Sequence, residues 1–360
     1  TLGGVDDGGE LLITSDEAPS RATAIIDNTG DAQFVDYVKV FNVDGTEEHP
    51  ITATNSWSMG GTTDYWNFAV MYYTFETTGN WDIAENWEQD FLPSETDNIQ
   101  VLSGITLFTN GNRTINHMVI NGVLDIGGDI LIVNGNSVVS DSIHIGTGRL
   151  DVNGPFDATG ANITFTDAGN LTLDSTVTSL GILSSDSGTV TYDGEDQYVF
   201  SDTYHQLIFD GLGKKILTGD VSVNNNLIVN PGDTCIVGTN TLTVEGLTDI
   251  DGTITINSGS IDANGIFDAI GGTITFNGAG NLYLDSTVTS LGMFSASYST
   301  VAYDGSDQEV KEATYHHLNL AGYGYKVLSG DIDATGDINI NPGVDFDVSD
   351  INNYVTAASV

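Results

Sequence analysis

The sequence has very few basic residues and no long apolar run. Of its 360 residues, 8 are Lys or Arg and 50 are Asp or Glu, which gives a formal net charge of −42. Nucleic-acid phosphates and anionic membrane surfaces both attract clusters of basic residues. A membrane-spanning helix needs about 18 consecutive apolar residues, and no such run occurs. We therefore expect neither a nucleic-acid partner nor insertion into a membrane.

Cysteine and proline are also scarce. The single cysteine, Cys235, excludes an intrachain disulfide. Proline occurs 6 times and glycine 43 times without a triplet period, which indicates many turns and excludes a collagen-like chain. Because the chain begins at Thr1, we expect a processed mature protein or an excised fragment. Three glycosylation triplets, at Asn112, Asn162 and Asn170, hint at a secreted surface.

The most informative feature that is present is an internal duplication. The nine residues LDSTVTSLG occur at 173–181 and again at 284–292, an offset of 111 residues. Without a gap, 151–232 aligns with 262–343, and roughly half of the paired positions are identical. An active site is usually built once, whereas a packing unit can be repeated. The duplication therefore favours an architectural role.

Within each copy, apolar residues alternate with Thr, Asn or Asp in short segments such as TVTY (189–192) and TITI (253–256). A period of two is typical of half-buried strands, and the Gly-, Asn- and Asp-rich letters between them are typical of turns. The pattern predicts an all-β protein. We favour a β-solenoid, a parallel β-helix or β-arch stack with coils of about 20–24 residues, over tandem β-sandwiches. One repeat would then form about five coils and rise about 24 Å.

The duplication also suggests how the chain is divided. Residues 1–75 have no second copy and are predicted to form an N-terminal β segment or cap. We assign 76–150 to entry coils, 151–261 to the first repeat unit and 262–360 to an incomplete second unit. The segment 81–91, WDIAENWEQDF, is the one place where a short helical turn is predicted.

Three stretches resemble a known group of proteins: GNWDIAENWEQDFLPSETDNIQV (79–101), INHMVINGVLDIGGDILIVNG (115–135) and YDGEDQYVFSDTYHQLIFDGLGKKILTGD (192–220). They are similar to the opening and coil motifs of secreted β-solenoid repeat proteins of bacterial and archaeal cell surfaces, which include adhesin-like and methanogen sheath-like proteins. The resemblance covers about residues 79–350. It implies a β-solenoid with an adhesive or assembling role, and it implies no enzymatic activity.

Two equivalent acidic turns are the best candidates for a cation site. YDGEDQ (192–197) places Asp193 near Asp196, and YDGSDQ (303–308) places Asp304 near Asp307. Carboxylates together with backbone carbonyls are typical ligands for calcium. The alternative is a solvated turn, which we favour because neither an EF-hand nor a calcium-binding nonapeptide repeat is present.

Three further residue types recur at the 111-residue offset. His205 and His316 follow buried-type tyrosines and are interpreted as outward-facing residues in preference to metal ligands. Lys215 and Lys326 follow glycine-rich letters that lack the spacing of a phosphate-binding loop, so we interpret them as basic turn residues that offset local acids. Cys235 aligns with Phe346, which indicates an apolar core position and disfavours a reactive thiol.

These observations predict an extracellular, cell-surface structural protein. We expect it to bind copies of itself through β-edges or coil ends and to form a sheath, layer or filament. The alternative is a stalk fragment of a secreted adhesin that binds cell-surface glycans or other surfaces. A polysaccharide-active β-helix enzyme is less favoured, because Asp pairs occur throughout the chain and mark no single cleft.

Overall fold

The computed structural model describes residues 72–184, 186–349 and 354–359, together with the backbone of eight strands nearer the N-terminus. The chain divides into two units, Thr1–Tyr73 and Thr74–Val360. Strands make up 54% of the structure and helix 1%, and the strands stack in parallel to form a β-solenoid of about 13 turns. This confirms the predicted fold class and excludes tandem sandwiches for the described residues.

The described strands of the first unit pair in parallel, in the orders β1-β4-β7, β2-β5 and β3-β6-β8. Their bounds are β1 (Leu11–Thr14), β2 (Ala24–Ile25), β3 (Gln33–Asp36), β4 (Val38–Phe41), β5 (Val43–Asp44), β6 (Ile51–Thr54), β7 (Trp57–Ser58) and β8 (Trp66–Phe68).

The strands of the second unit lie on three faces, and most coils contribute one strand to each face. Face A contains β9 (Tyr72–Phe75), β11 (Asn98–Val101), β14 (Met118–Ile120), β17 (Ser137–Val139), β20 (Phe156–Asp157), β23 (Val177–Ser179), β26 (Gln197–Val199), β29 (Gly213–Leu217), β32 (Asp233–Gly238), β35 (Thr253–Ile256), β38 (Thr273–Phe276), β41 (Met293–Ser295), β44 (Ala313–Tyr315) and β49 (Val355–Ser359).

Face B contains β10 (Gly79–Asn80), β12 (Thr106–Phe108), β15 (Val123–Gly127), β18 (Ser142–Ile145), β21 (Asn162–Phe165), β24 (Ile182–Ser184), β27 (Thr203–Tyr204), β30 (Val221–Val223), β33 (Thr241–Val244), β36 (Ser260–Ala263), β39 (Asn281–Leu284), β42 (Thr300–Tyr303), β45 (His317–Leu320) and β47 (Ile332–Ile340). Strand β47 turns a corner, because its start pairs with β44 and its end pairs with β45.

Face C contains β13 (Arg113–Ile115), β16 (Ile130–Val133), β19 (Arg149–Val152), β22 (Asn170–Leu173), β25 (Thr189–Tyr192), β28 (Gln206–Phe209), β31 (Leu227–Val229), β34 (Thr248–Ile250), β37 (Phe267–Asp268), β40 (Val288–Ser290), β43 (Gln308–Val310), β46 (Gly324–Leu328) and β48 (Val344–Asp347). A single 3-10 turn, Ala84–Asn86, confirms the short helical turn predicted within 81–91. Among the described residues, no helix is long and apolar enough to cross a membrane.

The core is a set of inward-facing columns in which equivalent residues of successive coils stack. In β35, Ile254 and Ile256 are fully buried, while Thr253 and Thr255 face outward. Ile254 pairs in register with Cys235 of the preceding coil. Each fully buried Ile, Leu or Val contributes about 1.5–3 kcal/mol relative to an exposed side chain, so the alternation predicted from the sequence supplies the stability of the stack. The buried position predicted for Cys235 is confirmed, since its side chain is 0% exposed.

The repeat is not a whole number of coils, and this corrects the expectation of about five. Strand β23 of the first copy is equivalent to β40 of the second, so one repeat spans 17 strands. With three strands per coil, 17 strands form five coils and two additional strands. Equivalent residues of the two copies therefore lie on different faces, with β23 on face A and β40 on face C.

Candidate functional site

The parallel ladders of the described strands are interrupted at two equivalent places, which we call the first and second joints. At the first joint, β23 does not pair with β26 on face A, and β24 does not pair with β27 on face B. At the second joint, the unpaired neighbours are β40 and β43 on face C, and β41 and β44 on face A. Only one face stays continuous across each joint, so other groups must satisfy the backbone there.

Two buried tyrosines replace the missing strand partner at each joint. At the first, the hydroxyl of Tyr192 lies 3.1 Å from that of Tyr204. The Phe200 N–H donates to the Tyr192 oxygen at 3.3 Å, and the Tyr204 hydroxyl donates to the Phe200 carbonyl at 2.9 Å. Burial raises the pKa of Tyr192 to about 12, which keeps this phenol protonated.

The second joint repeats this arrangement. The Tyr303 and Tyr315 hydroxyls lie 3.2 Å apart, and they bond the N–H and the carbonyl of Lys311, the residue equivalent to Phe200. Both tyrosines are 0% exposed. A buried backbone group without a partner costs about 1–3 kcal/mol, so the tyrosine pair stabilises a corner that the ladder leaves open.

A glutamine links each joint to the coil before it. The Gln197 side-chain amide donates to the carbonyls of Leu173 and Ser175, at 2.8 Å in both cases. Its oxygen accepts a 2.8 Å bond from the Gly194 N–H within the predicted acidic turn. Gln308 makes the equivalent bonds in the second joint, to Leu284, Ser286 and Gly305.

A buried lysine ammonium donates hydrogen bonds to the backbone carbonyls of each acidic turn. Lys215 is 0% exposed, and its Nζ donates to the carbonyls of Gly194 at 2.6 Å and Glu195 at 3.0 Å. Its third acceptor is Asp233 Oδ1 at 3.0 Å. Register explains the burial, because Lys215 stacks directly between Gln197 and Cys235 in an inward-facing column.

The second lysine has different surroundings. Lys326 is also 0% exposed and donates to the carbonyls of Gly305 and Ser306, but its third acceptor is Gln308 Oε1 at 2.9 Å. The residue equivalent to Asp233 is Val344. Burial lowers the pKa of Lys326, while the charges of Asp304, Asp307 and Asp285 oppose that shift. Both lysines were expected to be basic turn residues. They are instead buried, and each ammonium contacts the carbonyls of an acidic turn of the preceding coil.

Two of the four aspartates that were weak candidates for calcium ligands accept backbone N–H groups. Asp196 Oδ1 accepts the Lys214 N–H at 2.8 Å, and Asp307 Oδ1 accepts the Tyr325 N–H at 2.8 Å. Among the described residues, no group of three or more His, Cys, Asp or Glu side chains is arranged to hold a metal ion. Calcium binding stays a prediction, and the turn carbonyls that were expected as ligands face a lysine ammonium.

Asp193 and Asp304 instead stack on an aspartate of the preceding coil. Burial raises the pKa of Asp174 to about 6, and the neighbouring charges of Asp193 and Asp151 raise it further. At the second joint, burial and a hydrogen bond shared with Asp285 raise the pKa of Asp304 to about 7. Like charges one coil apart disfavour each other's ionisation, so Asp174 and Asp304 take up a proton at a higher pH than an isolated aspartate does.

The remaining candidates have ordinary structural partners. His205 Nε2 lies 3.4 Å from Asn225 Nδ2, and His316 Nδ1 lies 3.0 Å from Thr335 Oγ1. Both histidines are half-buried, next to the buried tyrosines of their joints. Burial raises the pKa of the Cys235 thiol to about 12, so this thiol carries no nucleophilic thiolate at neutral pH.

A shallow polar groove borders the second joint. One part, about 370 Å³, lies between strands β41 and β44 and is lined by Thr289, Ser290, Lys311 and Glu312 among others. A second part, about 510 Å³, continues from Glu312 and Thr314 to Tyr354, which is 69% exposed. The groove is open, so it offers a surface for a polar chain and does not enclose a small molecule.

Sequence reasoning missed Gln197, Gln308 and Asp233, and it treated the tyrosines and lysines separately. A usable signal was present, because the copies are identical at four buried polar positions: Tyr192 and Tyr303, Gln197 and Gln308, Tyr204 and Tyr315, Lys215 and Lys326. Comparison with family models found none that matches the sequence, and searches of curated proteins and of solved structures found no match either.

Proposed function

We propose that this chain is an extracellular structural protein that self-assembles through strand edges into a cell-surface sheath, layer or filament. The observation that carries the proposal is the use of its polar residues. Buried tyrosine, glutamine and lysine side chains form hydrogen bonds that hold the coils together, and the same set occurs in both copies. Side chains that hold successive coils together are what we expect of a structural β-solenoid.

Unpaired strand edges supply the means of assembly. Strands β48 and β49 each pair with one neighbour among the described strands, so their outer edges face no described strand. Such an edge is a template for the addition of another strand. The net charge of −42 opposes association of identical chains, so salt or divalent cations must screen it.

Electron microscopy of the purified chain tests the proposal, with and without a chelator of divalent cations. We expect ordered filaments or layers when cations are present and dispersed rods after chelation. The Ile332 N–H donates to the Tyr354 carbonyl, so alternation along a parallel strand turns the Val355 N–H toward the free edge. Val355→Pro should abolish assembly while leaving the fold intact, whereas the control Val355→Thr should assemble. Dispersed rods under every condition would refute self-assembly.

One observation favours a second candidate, the stalk of a glycan-binding adhesin. The groove at the second joint combines hydroxyl groups, carboxylates and the exposed ring of Tyr354, which suit the polar edges and apolar faces of sugars. Binding of a strictly monomeric preparation to a glycan array, lost in Tyr354→Ala, would favour this candidate over assembly.

A further inference from the structure

The pair Lys215–Asp233 is unusual because both charged side chains are completely enclosed. Their exposed fractions are 0% and 0%, and Nζ lies 3.0 Å from Oδ1. Removing two charges from water is costly, and the attraction between them compensates only when the remaining polar atoms are also satisfied. Here they are not all satisfied, since no described hydrogen-bond donor reaches the buried Asp233 Oδ2.

From this geometry we propose that Lys215 and Asp233 condense to an intramolecular isopeptide bond that joins two successive coils. The bond forms between Lys215 Nζ and Asp233 Cγ. One Cγ–O bond breaks, and that oxygen leaves as water with two of the three ammonium protons. The ammonium and the carboxylate together become one neutral amide, so charge and atoms balance without an oxidant or other co-reactant.

The surroundings favour each step. A proton transfer from Nζ to the carboxylate along the 3.0 Å bond produces the amine and the carboxylic acid that condense. The carbonyls of Gly194 and Glu195 hold Nζ in place, so the two groups react as a fixed pair with a high effective concentration. The oxygen that leaves as water is one whose burial is otherwise costly.

One further acidic side chain belongs to the electrostatic surroundings of the pair. The charge of Asp193 interacts with that of Lys215, and burial, with the charges of Asp210 and Asp151, raises the pKa of Asp193. Asp193 was one of the weak candidates for a calcium ligand, and its charge also acts on Lys215.

The second joint is a built-in negative control. Lys326 is held by the same two turn carbonyls, but the position of Asp233 is occupied by Val344, and the third acceptor is the amide oxygen of Gln308. The inference therefore predicts one crosslink per chain, in the first copy only, although the two lysines are equivalent.

The intact mass of the denatured, purified chain tests the inference. We expect a mass about 18 Da below that of the sequence, with fragmentation placing the loss on linked peptides that contain Lys215 and Asp233. A chain of full sequence mass, after prolonged incubation in the folded state, would overturn the inference.

Three variants separate the crosslink from other losses of water. An Asp–Gly sequence such as Asp193–Gly194 can also lose water by cyclising, and that loss would persist in Lys215→Met. The crosslink requires that Lys215→Met and Asp233→Val both have the full mass and that Lys326→Met keep the deficit. A deficit that persists in Lys215→Met would overturn the assignment, and so would one that disappears in Lys326→Met. Because mass is measured after denaturation, weakened folding of a variant does not obscure the result for the natural chain.

Discussion

The two joints share four buried polar side chains and differ in what faces the lysine. In the first joint, Lys215 meets a carboxylate, and in the second, Lys326 meets the neutral amide of Gln308. In both joints the three N–H donors of the lysine ammonium have three acceptors. The third acceptor is charged in the first joint and neutral in the second. The two copies therefore keep the same hydrogen-bond geometry around the lysine but differ in the charge of its third acceptor.

The largest effect should come from removing the lysines. Lys215→Met leaves the Asp233 carboxylate buried without a partner, and we expect a loss of about 3–5 kcal/mol in the free energy of unfolding. Lys326→Met leaves only neutral acceptors unpaired, and we expect about 1–3 kcal/mol. Urea denaturation of both variants measures the difference, with the exposed neighbour substitution Lys214→Met as a control near zero. Equal losses at the two joints would contradict this comparison.

The glutamines should show the opposite order. Gln308 bonds two carbonyls, one N–H and the lysine, whereas Gln197 bonds two carbonyls and one N–H. We expect Gln308→Leu to cost about 2–4 kcal/mol and Gln197→Leu about 1–3 kcal/mol. Urea denaturation of both glutamine variants measures the two losses in the free energy of unfolding. A larger loss in Gln197→Leu would show that the additional bond from Gln308 to Lys326 does not determine the difference.

The tyrosines should not distinguish the joints. Tyr192→Phe and Tyr303→Phe each leave one backbone N–H without its acceptor, at Phe200 and at Lys311. We expect about 1–2 kcal/mol for each, equal within error. Hydrogen exchange at those two amides gives a local readout, and protection that is unchanged in the variants would mean that water replaces the phenol.

The smallest effect should be a dependence of stability on pH. The folded-state pKa values of Asp174, about 6, and Asp304, about 7, lie above those of the unfolded chain. The folded chain therefore binds more protons between pH 4 and these values, and stability should fall as the pH rises through 6 and 7. Both groups are partly solvated, so we expect only about 1 kcal/mol. Asp304→Asn should remove the upper part of the dependence, and an unchanged profile would contradict the assignment.

The fold could be predicted because its signal is local. Alternation in segments such as Thr253–Ile256 shows which residues face the core, and duplication shows that the unit is stacked. The joints could not be predicted, because their contacts connect residues about one coil apart, such as Gln197 and Lys215. Short strands hide the coil length in the sequence, so YDGEDQ, TYH and GLGKK looked like three unrelated motifs.

Judging each motif alone also hid the lysine that contacts the acidic turn. Carbonyls and aspartates suggested calcium, whereas the stacked register places Lys215 beneath the turn. The lysine is 20 residues beyond Glu195, and only the closed coil brings its ammonium there. The sequence does show that Tyr192, Gln197, Tyr204 and Lys215 are identical in both copies, and this identity could have identified them as one set.

The 17-strand period has a geometric consequence for any longer array of such repeats. Each successive copy is turned by about two thirds of a revolution around the stacking axis, so the fourth copy returns to the orientation of the first. Any bend of the stacking axis at one joint would point in a different direction at the equivalent joint of the next copy, and the bends of three successive copies would cancel. Such an array grows as a straight shaft with threefold screw symmetry, and identical features appear evenly on all of its sides.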